Sequence, residues 1–119
     1  TGNDANVYGE AWNPSTNKMT EVSKGVYEIL FEDVEDGQLQ AKFCVNGSWT
    51  FNFGAGETKE VDTDGSNLGL MLNGDNIVVH VPATGKLTMQ FDTTSMDNYG
   101  NGGIARFFFA AEEPVPAGE

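Results

Sequence analysis

The stretch Lys42-Phe43-Cys44-Val45-Asn46-Gly47-Ser48-Trp49 constrains the fold of this chain more than any other. Ala41, Phe43 and Val45 alternate onto one face of an extended segment, and Gln40, Lys42 and Cys44 onto the other. Asn46-Gly47 follows. Both residues tolerate the positive φ angles of a type I′ turn, so the pair is the strongest short-range hairpin signal a sequence can carry. The chain must reverse here and return as an antiparallel strand that begins near Trp49.

Other segments repeat the pattern. Tyr27, Ile29 and Phe31 alternate with Glu28, Leu30 and Glu32. Ile77, Val79 and Val81 alternate within 76–81, and Leu87, Met89 and Phe91 within 86–91. Each triplet is expected to face a core. Further strands are expected over 7–12, 18–22, 38–45, 48–53 and 104–110, while 68–72 reads equally as strand or helical turn. In 48–53 the alternation puts Trp49, Phe51 and Phe53 on one face. Acidic 33–37, polar 54–65 and Gly/Asn-rich 92–103 read as loops. No window sustains helical amphipathicity, and fifteen Gly with eight Phe suit short strands and many turns. The expected fold is all-β, an antiparallel β-sandwich of seven to eight strands. A single domain over 1–111 is large enough to bury a core, and 112–119 reads as an acidic, Pro-containing linker tail.

Eighteen acidic against six basic residues leave a formal charge of −12. Such a surface repels nucleic acid and anionic lipid, and no membrane insertion is expected. One cysteine rules out an internal disulfide, and Cys44 reads as a small half-buried hydrophobe. Asp62-Thr63-Asp64-Gly65-Ser66-Asn67 resembles half a calcium loop but lacks the bidentate Glu of a full one, so a polar turn is the simpler reading. Neither a metal nor a cofactor is expected. His80 points outward on its strand, and no carboxylate pair is spaced for acid–base catalysis, so no enzyme is expected.

The hairpin carries Lys42 and Trp49 on adjacent strands. A flat apolar ring beside a cationic donor suits a sugar: the ring stacks on the C–H face and the amine meets a hydroxyl. An ordinary core Trp fits the same spacing. Trp12, before a proline turn, sits where a strand end exposes side chains or caps a sandwich edge. Two tilted indoles would match a curved glucan better than a flat one. Asn52 and Asn76 offer both donor and acceptor to vicinal hydroxyls, or serve as turn and cap residues.

Lys-Phe-x-Val-Asn-Gly-Ser-Trp resembles the α-glucan-binding module of AMP-activated protein kinase. It looks closer to the accessory starch-binding modules of bacterial amylopullulanases and gut-bacterial starch-adherence proteins. Trp12-Asn13-Pro14, Gly25-Val26-Tyr27, Gly74-Asp75-Asn76-Ile77 and the Phe91-Asp92-x-Thr-Thr end follow in the matching order, over roughly 7–94. The segment 55–72 and everything after Ser95 depart from the pattern, so no loop contact carries over there. The resemblance implies an immunoglobulin-like sandwich and a non-catalytic module of a larger amylolytic enzyme or scaffold. It implies an extracellular or bacterial cell-surface location, neighbouring domains on the same chain, and a monomer. It also implies a site of Trp49, Trp12, Lys42, Asn76 and Asn52 for starch, maltooligosaccharides or glycogen, Asp75-Asn76 standing where the kinase module has an asparagine pair. The alternative is a structural spacer or protein-docking module.

Overall fold

The computed structural model of the chain describes residues 1–96 and 102–111. The expected tail over 112–119 and part of the 92–103 loop lie outside the described residues. The fold is all-β. One short helix, α1 (Ala5–Tyr8), precedes ten strands: β1 (Thr20–Ser23), β2 (Val26–Val34), β3 (Gly37–Ala41), β4 (Phe43–Val45), β5 (Ser48–Ala55), β6 (Glu60–Val61), β7 (Leu68–Leu72), β8 (Ile77–Val81), β9 (Gly85–Asp92) and β10 (Ile104–Ala111). Seven form one antiparallel sheet in the order β1-β2-β9-β10-β7-β5-β4. The other three form a second sheet, β3-β8-β6, in which β6 runs parallel to β8.

The larger sheet curls strongly. Three strands separate β4 from β9 in its order, which in a flat sheet would hold them roughly 19 Å apart at the usual strand spacing. Phe43 on β4 nevertheless stacks on Phe91 of β9 with ring centroids 5.0 Å apart. The edge has therefore folded back over the middle, and the enclosed space is the core. Leu87, Met89, Phe91, Ala105 and Phe107 fill it from the large sheet, with Leu39, Ile77, Val79 and Val81 from the small one.

Four expectations need correction. The segment 7–12 is not a strand. Asp4 accepts from the Asn6 N–H and caps α1, Gly9 at φ 84° ends it, and buried Tyr8 donates its hydroxyl to the Gln40 carbonyl. A local cap and one buried ring outweigh a weak strand pattern. The expected strand over 38–45 is interrupted at Lys42, whose backbone N–H and C=O both pair with Thr1, so β3 and β4 enter different sheets. The expected loop over 54–65 contains the end of β5 and all of β6. Strands number ten rather than seven to eight among the described residues, the excess coming from the division at Lys42 and from short β6.

Candidate functional site

The site begins with the turn. Val45 pairs with Ser48 across Asn46 (φ 56°) and Gly47 (φ 65°), the left-handed pair that the Asn-Gly signal demands. The register then jumps. Cys44 pairs with Asn52, so residues 49–51 bulge outward between two adjacent pairs. The bulge separates three aromatics expected on one face: Trp49 is 40% exposed and Phe51 41%, while Phe53 is fully buried. The strand irregularity thus frees Trp49 from the core. Phe51 comes out with it, which the alternation did not foresee.

Asn52 braces the bulge. It is buried, and its side-chain amide donates to the Trp49 carbonyl at 2.8 Å and to Asn73 Oδ1 at 3.0 Å. Its Oδ1 is buried without a hydrogen-bond partner among the described residues. An orphaned acceptor costs about 1–3 kcal/mol, so the clamp is held against a penalty. The structure buries Asn52 and ties it to the Trp49 backbone.

Trp12 arrives from the other direction. The N-terminal residues run alongside Gln40 to Lys42: Gly2 bridges Ala41, and Gln40 donates to Asn3 Oδ1 at 2.9 Å. Gly2 is obligatory, since a Cβ there would lie 2.0 Å from the Gln40 oxygen. The Trp12 N–H then donates to the Gly2 carbonyl at 2.7 Å, with Trp12 itself at φ 53°. The left-handed region costs a side-chain-bearing residue about 1–2 kcal/mol. Immediately after it, Asn13 Oδ1 accepts from the Ser15 N–H and hydroxyl, turning the chain through Pro14.

These two routes bring the rings together. Trp12 and Trp49 have centroids 6.5 Å apart and planes tilted by 41°. At that separation they touch. They make one bent apolar platform rather than two separate plates. Lys42 Nζ lies 5.9 Å from the Trp49 ring centroid, within cation–π range. The ring thereby holds the ammonium near any ligand lying against the indole.

Asn76 is exposed and donates to Gln40 Oε1 at 3.3 Å. Its neighbour Asp75 pairs with Lys59 at 2.7 Å. The Lys59 hydrogen bond and charge, with a smaller contribution from the Lys42 charge, hold the Asp75 carboxyl below its ordinary range. The structure brings Trp12, Trp49 and Lys42 together, and it adds an exposed Phe51 and a bracing Asn52 that the sequence did not announce. One signal was available for the latter: a lone amide in an otherwise aromatic run.

The Asp62 to Asn67 stretch is a turn. Asp64 Oδ1 accepts from the Ser66 N–H and hydroxyl, which draws its carboxyl below the usual range. Among the described residues no cluster of three or more His, Cys, Asp or Glu is arranged to hold a metal. His80 Nε2 lies 2.9 Å from Glu60 on the surface. Among the described residues no helix is long and apolar enough to cross a membrane.

A larger feature escaped the sequence. A cavity of about 810 Å³ opens beside the hairpin, lined by residues of β2, β9 and β4 and by residues 14–19. Searches with family models and against curated proteins found no match to this chain.

Proposed function

We propose that this chain is a non-catalytic α-glucan-binding module of immunoglobulin-like sandwich type, carried by a larger secreted or surface-attached bacterial amylolytic protein. The observation that supports this reading best is the bent Trp12–Trp49 platform with the Lys42 ammonium over one ring. Stacked C–H faces follow a tilted pair of indoles along a curved α-1,4-linked chain, whereas a flat β-linked chain meets only one of them. Lys42 reads a hydroxyl, and Asn76 with Gln40 supplies further donors and acceptors at the Asp75 corner. Starch, glycogen and maltooligosaccharides all present that chemistry.

So shallow a surface sets a modest affinity, about 0.01–1 mM or roughly −4 to −7 kcal/mol. Retention on starch in the parent protein then depends on several modules acting together. The test is adsorption to insoluble starch with cellulose as control. Depletion by starch alone supports the reading. Equal adsorption to both, or to neither, overturns it and favours a spacer or protein-docking module, for which exposed Trp49 and Phe51 would be the contact.

A further inference from the structure

The cavity beside the hairpin has a character opposite to the rest of the molecule. Ile29, Val45 and Met89 lie on an apolar floor closed by the Phe43–Phe91 stack, and Thr16, Asn17, Asn46 and Thr93 add polar lining. Among the described residues no Asp or Glu lines it, although the chain has 18 of them. The charged side chains among the described lining residues are Lys18 and Lys42, two of six basic residues in the chain. Voids forfeit dispersion contacts, and a fold closes them unless something props them open. Here the props are visible. The Gly47 turn packs against Pro14 and Ser15, and Asn17 donates to the Tyr8 carbonyl at 2.6 Å, fixing the loop that roofs the cavity.

We propose that this cavity is a second binding site, adjoining the indole platform and sharing Lys42 with it, for an amphipathic anion: an apolar chain or ring system ending in a carboxylate or similar group. Its volume is within the range of small-molecule sites. The apolar floor accepts a hydrocarbon body, which a sugar could not match there, while polar side chains such as Thr16, Asn17 and Thr93 share the lining. The two lysines at the mouth then meet the anionic end, in a molecule whose overall charge otherwise repels it.

Cys44 lies in the β4 wall and reports on occupancy. Burial pushes its thiol up from the ordinary range, so it alkylates slowly and a bound ligand shields it further. The experiment compares dodecanoate, dodecanol and dodecyltrimethylammonium, all below micelle formation, by calorimetry and by Cys44 alkylation with iodoacetamide. The expected order is dodecanoate, then dodecanol, then the cation, the first two separated by roughly five- to tenfold. Dodecanoate slows alkylation of Cys44, and maltooligosaccharide leaves it unchanged. The Lys18→Ala/Lys42→Ala variant brings dodecanoate and dodecanol to within about twofold of each other. Ile29→Trp fills the cavity and abolishes binding of both; if that variant does not fold, the wild-type protection and the lysine variant decide. Absence of protection by dodecanoate, equal protection by the cation, or protection by maltooligosaccharide overturns the proposal.

Discussion

Strands β9 and β5 carry similar apolar patterns and meet different fates. In β9, Leu87, Met89 and Phe91 alternate and all three are buried. In β5, Trp49, Phe51 and Phe53 alternate as cleanly, yet only Phe53 is buried. The difference lies in the neighbours. Every residue of β9 pairs in unbroken register with β10, and β2 holds its other side. A one-residue slip there would turn the whole apolar set outward, so the ladder enforces the pattern. The first half of β5 has no such constraint. Its pairing with β7 involves only Phe53 to Ala55, and its pairing with β4 skips from Asn52 to Ser48. Alternation dictates burial where two ladders hold a strand; near the sheet edge a bulge can overrule it.

Substitutions can break or sharpen this contrast. The largest effect on stability belongs to β9: Leu87→Ala should cost about 2–5 kcal/mol in denaturant unfolding, since it empties a fully buried site. Its glucan binding per folded molecule should be unchanged.

At the end of β9, Asp92 accepts from Thr94 and pairs with Arg106 at 3.0 Å. The Thr94 hydrogen bonds and Arg106, opposed by burial, leave its carboxyl below the ordinary range. A depressed folded-state pKa gives stability that is complete above the unfolded value and lost as pH falls through the folded one. Unfolding free energy should therefore begin to drop near pH about 4 and continue downward, and Asp92→Asn should flatten that slope while costing about 1–3 kcal/mol at neutral pH. An unchanged acid slope in Asp92→Asn would contradict this role.

Similar in size, but on binding rather than stability, is the effect of the lysine. Lys42→Ala should leave unfolding unchanged and weaken starch binding by roughly 1–3 kcal/mol, the range for a hydrogen bond to a charged group. Lys24→Ala makes the same charge change in a distant turn and should bind normally. Equal losses in the two variants would mean that charge alone, not position, is being read. The smallest effect should be Tyr8→Phe, which removes one hydrogen bond to Gln40 and should cost about 1 kcal/mol of stability.

The regular part of the fold was legible. Alternation located β2, β8, β9 and β10, and Asn46-Gly47 located the turn to the residue, because these are local properties of the chain. The break at Lys42 was not legible, since it depends on a partner 41 positions away. Nor was the curl that sets Phe43 on Phe91, which arises from the accumulated twist of a whole sheet. The cavity is a consequence of that curl and shared its obscurity. Of the site, hairpin spacing set Lys42 and Trp49 near each other but left a core Trp equally open, and the bulge decides between them. The approach of Trp12 required the N-terminal residues to run beside Gln40, a contact no periodicity encodes.

The bulge matters only if the ring it exposes binds sugar. Adsorption of folded Trp49→Ala to insoluble starch, beside the wild-type protein, tests that claim most directly. Unfolding of the variant should match wild type closely, because the indole lies outside the core, while adsorption should fall to the level seen on cellulose. A folded Trp49→Ala protein that adsorbs to starch as fully as wild type would contradict the account.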